Sequence, residues 1–395
     1  MKGTIKTIAN IGVIIAVYYF TYYTVLGILR PIPAPGDSWD YHIPISQSII
    51  NGSFITLPHV IVLQRYYPGS SEAINSLLLL LHIPLTLSNI LAIIVLYFCL
   101  YRLSRYFKLQ KYFALLYATT FITLNAVVRW QNAVSIDIWI AVFFTLGILL
   151  LENPKKSVLY FGKLGFVLGM LIGSKYTAIF YLLIYLIFYS KSLLKYINFK
   201  RALAFIIPFS IFGVFWYVRN YFLKGNPFYP LPFLGFKGVL IFSDTVWNQM
   251  MHNPLLLLNA AFSEYHLWIF TVIVAFFIVI KHFVNQKNLK LESETRLFLI
   301  GIINFFIFFT FPTDTQPWIM VSSFRYSYPV FIPLILGTFM LIARFKKEEW
   351  LGYFAIANML SVLTMTYYPK LILFYFPLSL FIIYVMNKKF SLSKK

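Results

Sequence analysis

Acidic residues are scarce in this chain: 12 Asp and Glu stand against 33 Lys and Arg in 395 residues, and all charged residues together make up 11% of it. So little charge cannot cover a soluble globule of this length, in which about a quarter of the residues are normally charged. Cysteine is nearly absent as well. Cys99 stands alone in an apolar run, which excludes an intrachain disulfide and a thiolate metal site. In place of charge the chain carries 60% hydrophobic and 20% aromatic residues, with a mean hydropathy of +0.77. That composition belongs to a polytopic membrane protein. At roughly 20 to 25 residues per span plus connections, 395 residues hold about ten to thirteen helices and leave no room for a soluble catalytic domain.

The long apolar runs are 5–29, 88–107, 112–129, 134–151, 158–173, 175–190, 202–222, 266–281, 297–311, 328–343, 351–367 and 371–387. The first is about 25 residues long, well beyond the 7 to 15 of a secretory signal core, and is read as a retained helix. Alternating these runs across a bilayer from a cytoplasmic N-terminus collects the basic clusters at 2–6, 102–111, 155–156, 191–201, 281–296, 344–347 and 388–395 on one side. Cytoplasmic loops carry such an excess of Lys and Arg, so the +21 net charge is topological and a nucleic-acid partner is unsupported. The expectation is an all-α, polytopic membrane helix bundle of about 12 transmembrane helices. It forms a single transmembrane domain, 1–395, multi-pass in the cell membrane among its lipids, with both termini cytoplasmic.

Two stretches decide this topology. Residues 71–86 are short and broken by Pro84, and counting them as a span would invert every later loop; they are read as a juxtamembrane helix lying at the outer interface. The 158–190 stretch is too long for one ordinary span and is interrupted at Gly173-Ser174-Lys175. Two short helices with Lys175 at their turn satisfy both constraints.

Outer-face chemistry must then come from a first external loop, 30–87, a second long one, 223–265, and short turns. The densest cluster is Gly36-Asp37-Ser38-Trp39-Asp40-Tyr41-His42. Its carboxylates can supply a general base or an oxygen-rich cation site, although an Asp after a Pro/Gly turn also suits a helix N-cap. His42 can orient a neighbour; no second His at ligand spacing argues for zinc. The first loop also holds Arg65, Tyr66, Tyr67 and Glu72. Asp137 opens a span after Arg129, an ionisable residue at a membrane edge and so a functional candidate. Lys175 and Arg325 sit at helix ends on the same expected face, where a point charge and a guanidinium fork can hold a phosphate. Glu264 and His266 are a weaker proton-relay candidate, Asp244, His252, Asp314 and Lys370 also fall on the outer side, and Asn51-Gly52-Ser53 fits a glycosylation acceptor.

Taken in order, these segments resemble the GT-C glycosyltransferases, polytopic enzymes that take a sugar from a polyprenyl- or dolichyl-phosphate carrier on the extracytoplasmic side. Asp37 to His42 followed by Ile49 to Phe54 resembles that family's first-loop acidic motif, amphipathic helix and closing Gly. Tyr66-Tyr67-Pro68-Gly69-Ser70-Ser71-Glu72 is similar to the Tyr-Pro-Pro lead into its second juxtamembrane helix. Arg129 to Asp137 resembles the Asp-bearing start of the fourth helix, and Gly173 to Thr177 the Thr-Lys turn. Arg219-Asn220-Tyr221 with Gly225 to Pro230, and Arg325 to Pro329, are similar to segments common in prokaryotic members.

The resemblance implies an inverting membrane glycosyltransferase that moves a sugar from a polyprenyl-phosphate donor to a glycan, lipid or protein acceptor at an outer-face site. The family's catalytic Asp falls on Asp37, with Asp40 and Asp137 as further acids. His42, Arg65, Tyr67, Glu72, Lys175 and Arg325 are the expected substrate contacts. Protein O-mannosyltransferases and aminoarabinose transferases usually carry Glu directly after that Asp; here the position is Ser38, which leaves the second acid open. A divalent cation, Mg or Mn held by Asp37 and Asp137, is left open with it, and no other cofactor is expected. Two alternatives remain: an O-antigen polymerase- or ligase-like enzyme, whose catalytic loop is expected late in the chain, and a transporter or lipid flippase, which calls for ionisable groups at mid-membrane.

Overall fold

The computed structural model describes residues 2–33, 36–56, 62–152, 154–155, 157–239, 244–285, 292–313 and 316–361. The expected last span 371–387, the end of 351–367, Asp314 and Lys370 lie outside the described residues. Among the described residues the chain is all-helical, and extended pairing is limited to the isolated bridges Phe233–Phe236 and Thr245–Pro312. Five helices among the described residues are long and apolar enough to cross a membrane: Gly3–Leu29, Leu85–Tyr106, Phe199–Lys224, Pro254–Val284 and Ile319–Arg344. Val158–Ile172 and Ala178–Leu194 are shorter apolar helices. A helix closes its own backbone hydrogen bonds, which hydrocarbon requires of any spanning segment.

Helix ends follow local chemistry. The side chains of Ser157, Asn198 and Thr245 accept hydrogen bonds from the amides of Tyr160, Arg201 and Asn248, capping the helices that follow. Gly225, at φ 67°, ends the helix Phe215–Lys224 in the left-handed conformation and returns its N–H to Tyr221 O. The 158–190 stretch divides as expected into Val158–Ile172 and Ala178–Leu194, with Lys175 between them. Residues 71–86 are likewise separate from the span that follows: a helix Glu72–Leu80 ends at a turn through His82 and Pro84, ahead of Leu85–Tyr106.

One boundary differs. Residues 254–265, expected at the end of a loop, form a helix that runs on through His266–Phe270 into Thr271–Asn285. Pro254 presets the first helical turn, and the leucine and alanine residues behind it are strong helix formers.

The chain forms two compact units. The first comprises Met1–Thr21, Leu100–Arg129 and Ser243–Lys395. Here Ser293–Phe309 packs closely on Tyr328–Arg344: a Cβ on Gly301 would come within 2.4 Å of Leu334, and one on Gly337 within 2.7 Å of Phe298. Pro333 lacks the N–H that would bond to Pro329 O, and Asn304 Nδ2 donates to that carbonyl instead, at 2.9 Å. Tyr117 and Tyr328 donate their hydroxyls to Ile332 O and Ala126 O, and Tyr265 stacks on Phe331 with ring centres 3.7 Å apart.

The second unit comprises Tyr22–Cys99 and Trp130–Phe242. Its tightest crossing pairs Val158–Ile172 with Phe199–Val214, and the contact stripe is Gly165, Gly169 and Gly173, each four residues apart. A Cβ would stand 2.1 Å from Phe205 O at Gly165 and 1.8 Å from Phe212 O at Gly173. Small residues at this spacing let two membrane helices touch backbone to backbone. Phe199–Val214 carries Pro208 and a π-turn, Ser210–Val214, at the same crossing. A π-turn frees carbonyls for other donors, and Ser70 Oγ donates to Phe212 O there.

Candidate functional site

Most of the expected site residues belong to the second unit. Asp137 is the first residue of the helix Asp137–Glu152, where the helix dipole favours a carboxylate. It is 4% exposed, and a buried carboxylate needs a cation. Lys175 supplies one: its Nζ lies 2.8 Å from Asp137 Oδ1 and remains partly accessible, the side chain 17% exposed.

The segment that begins with Asp37 is anchored nearby in the chain. Gly36, at φ 89°, turns the backbone, and its carbonyl accepts from the amides of Trp39 and Asp40. A single π-turn, Ser38–His42, leads into the helix Ile43–Ile50. Asp37 stands at the N-cap position of that turn but makes no capping hydrogen bond with its side chain. Ser38 Oγ donates to Val134 O at 3.3 Å and accepts from Val134 N at 3.2 Å, which ties Asp37 to a point three residues ahead of Asp137.

His42 and Glu72 bond to each other, Nδ1 to Oε1 at 2.9 Å, each 1% exposed. Ile43, next to His42, packs with Leu78, Leu85 and Val134 in a buried apolar cluster. The residues just before Glu72 clasp the Lys175 turn: Ser71 Oγ lies 2.5 Å from Ser174 Oγ, Ser70 N donates to Gly173 O at 2.8 Å, and Trp216 Nε1 donates to Ser70 Oγ at 2.7 Å. Contacts and short stretches of chain together link the Asp37 turn through Val134 to Asp137, Lys175, Ser174, Ser71 and Glu72, and back to His42.

Aromatic rings sit beside this circuit. The Tyr67 ring meets Tyr41 and Tyr176 edge-on, at 5.8 and 5.7 Å. Tyr176 donates to Tyr229 O at 2.6 Å and accepts from Asn220 Nδ2 at 2.6 Å; burial holds its hydroxyl above the ordinary tyrosine range, so it stays a donor. Arg219 is buried and reaches Phe54 O at 3.2 Å, Tyr66 O at 2.7 Å and Asn220 Oδ1 at 2.7 Å, pinning both arms of the 30–87 segment. Arg65 Nε donates to Asp40 O at 3.3 Å, while Asp40 itself is exposed. Asn51 Oδ1 accepts from Ser53 N and Oγ in an exposed turn.

The first unit holds the other candidates. Arg325 is 6% exposed; its guanidinium lies 5.1 Å from the Tyr326 ring centre and donates to Tyr326 Oη at 3.1 Å. Glu264 is fully buried and accepts from Arg129 and, at 3.0 Å, from Asn125 Nδ2. His266, at φ 52°, stands between two helical segments. Among the described residues no group of three or more His, Cys, Asp or Glu side chains is arranged to hold a metal ion.

Ser38, Ser71, Ser174, Asn220 and Arg219 organise the site, and nothing in the linear sequence marks the serines for that bracing role. Only the Gly165, Gly169, Gly173 spacing carried a linear signal of the crossing that brings Ser174 to Ser71. What the assembled groups offer is a carboxylate in a tethered turn, a second carboxylate neutralised by a partly accessible lysine, and tyrosine faces. No family model matches the chain, and no curated protein matches it.

Proposed function

We propose that this chain is an integral-membrane glycosyltransferase of the GT-C type, transferring a sugar from a polyprenyl- or dolichyl-phosphate-linked donor to an acceptor hydroxyl on a glycan, lipid or protein. The rest of the topology belongs to the same proposal: about twelve spans, placement in the cell membrane, cytoplasmic termini and an outer-face site. It rests on the apolar runs and on the Lys/Arg bias of the loops. The observation that supports the reading best is the Asp137–Lys175 pair at 2.8 Å, on the same circuit of contacts as the Asp37 turn.

The transfer is a single displacement. Asp37 takes the proton of the acceptor hydroxyl, whose oxygen bonds to the anomeric carbon as the bond from that carbon to the phosphate oxygen breaks; the lipid phosphate leaves with the electron pair and the configuration inverts. Lys175, bonded to Asp137 and partly accessible, supplies positive charge toward the departing phosphate. Phosphate is a good leaving group, so less acid assistance is required than in glycoside hydrolysis. Tyr67 and Trp39 offer rings for the sugar or the prenyl chain; Arg325 enters as a phosphate ligand through its sequence pattern alone. The purified full chain should move radiolabelled sugar from a polyprenyl-phosphate donor. If Asp37→Asn keeps more than about a tenth of the wild-type rate, the base assignment fails, because such a base contributes about 10²- to 10⁴-fold.

A second reading, transport of a substrate or lipid, is favoured by one observation. The apolar stretch Pro254–Val284 is interrupted at His266 and buries Glu264 and His266, the discontinuous, ionisable kind of span that substrate pathways use. Uptake into proteoliposomes without sugar transfer would reverse the order of the two readings.

A further inference from the structure

We infer that His42 and Glu72 form a buried positioning pair for Asp37, an inference that rests on the glycosyltransferase reading and assigns the pair a role distinct from substrate contact. The two side chains come from separate motifs of the 30–87 segment and meet at 2.9 Å with 1% exposure each, so neither is open to a substrate. As a stabilising contact alone the pair is a poor choice. Burying two ionisable groups is costly unless their remaining hydrogen-bond capacity is met, and apolar residues of similar volume usually do as well or better. Among the described residues Glu72 Oε2 has no hydrogen-bond partner, and one turn along the same helix Asn75 Nδ2 has none.

What the pair does hold is the direction of a turn. His42 is the last residue of the π-turn that starts immediately after Asp37, and Ile43 N–H closes that turn on Ser38 O. The turn therefore has two handles. Ser38 on Val134 holds its beginning, and His42 on Glu72 holds its end. Serines brace the second handle: Ser46 Oγ donates to His42 O, and Ser76 Oγ donates to both Ser46 O and Glu72 O, at 2.8, 2.8 and 2.9 Å. Losing either handle lets the turn rotate and carries the Asp37 carboxylate with it.

The pair also sets the base relative to the cation. Glu72 directly follows Ser71, whose hydroxyl lies against Ser174, the neighbour of Lys175. One rigid junction thus fixes the end of the base-bearing turn and the start of the lysine-bearing turn. A displacement of about 1 Å in a reacting group is enough to cost around a hundredfold in rate.

The test uses purified full-length wild type, His42→Gln, Glu72→Gln, Glu72→Ala and the double variant His42→Ala/Glu72→Ala. Each is assayed with radiolabelled undecaprenyl-phosphate mannose or glucose and a membrane extract as acceptor, and rates are referred to monodisperse folded protein. We expect Glu72→Ala to lower kcat about ten- to hundredfold with the donor KM within about threefold. Glu72→Gln still accepts from His42 Nδ1–H and should recover to within about threefold of wild type; the double variant should be no slower than the slower single one. If Glu72→Ala does not fold, a lowered kcat in folded His42→Gln beside a recovered Glu72→Gln carries the same conclusion. Folded variants with wild-type kcat, an effect on KM alone, or no recovery in Glu72→Gln would overturn the positioning role while leaving the glycosyltransferase reading intact. Absence of transfer by wild type itself overturns that reading, and the assignment with it.

Discussion

Lys175 Nζ reaches Asp137 Oδ1 at 2.8 Å although the two residues are 38 positions apart, and the carboxylate is the more deeply buried partner, 4% exposed against 17%. The lysine thus neutralises a buried acid while part of its own side chain stays accessible.

Replacing Lys175 with Met should leave Asp137 buried without its cation and destabilise the protein by roughly 3 kcal/mol, as removal of one partner from a buried pair does. Adding Asp137→Asn should restore part of that loss, since the orphaned charge is gone. Thermal unfolding in detergent of both singles and the double measures the coupling. Equal, additive losses would contradict a direct pair.

The glycine stripe offers a sharper contrast. Gly173→Ala places a methyl 1.8 Å from Phe212 O and should lower stability by at least about 2 kcal/mol through forced separation of the two helices. Gly162→Ala, on the same helix, meets only Ala204 O at 3.7 Å. It should be neutral or stabilising by up to about 1 kcal/mol, because Ala is the better helix former. Melting temperatures of the two variants should therefore shift in opposite directions or differ by several degrees.

Arg219 braces Phe54 O and Tyr66 O from one guanidinium. Arg219→Lys keeps the charge but not the fork, so one carbonyl loses its donor. The expected cost is about 1 to 3 kcal/mol, and amide exchange of Arg65 and Tyr67, bonded to Val62 O and Gln64 O, should quicken ahead of the rest of the second unit. Unchanged exchange at these amides would argue against the brace.

In the first unit Glu264 accepts from Arg129 and Asn125 while fully buried. Glu264→Ala should cost about 3 to 5 kcal/mol by taking the carboxylate away from a largely buried guanidinium, whereas Glu264→Gln preserves an acceptor and should cost less. Expression level and unfolding temperature rank the two. Under the transport reading, proteoliposome uptake should fall in both variants, including the one that stays stable.

Much of the helical layout was legible because apolar run length and loop charge are properties of the linear chain. The break at 173–177 and the separateness of 71–86 were read from one lysine, one proline and the Lys/Arg bias. The helix 254–265 departs from the expected loop for a physical reason: polar Glu264 and the adjacent His266 suit a loop end, but the Leu and Ala residues of 255–261 favour helix, and packing buries both polar groups. The candidate acids were visible as residues. Their pairings were not, and the serines that hold them in place, Ser38, Ser71 and Ser174, carry no pattern that marks that role.

Composition and charge placement by themselves determined an all-helical chain with long apolar helices and few groups available for chemistry, since burial of backbone polarity in an apolar medium permits little else. Which of those few groups pair was decided only by the tertiary structure. Helices that approach to backbone contact at Gly165, Gly169 and Gly173 bring the Lys175 turn to Ser71. His42 meets Glu72 and Lys175 meets Asp137 for the same kind of reason: distances of about 3 Å between residues 30 or more positions apart depend on how elements pack, which periodicity along the chain does not encode.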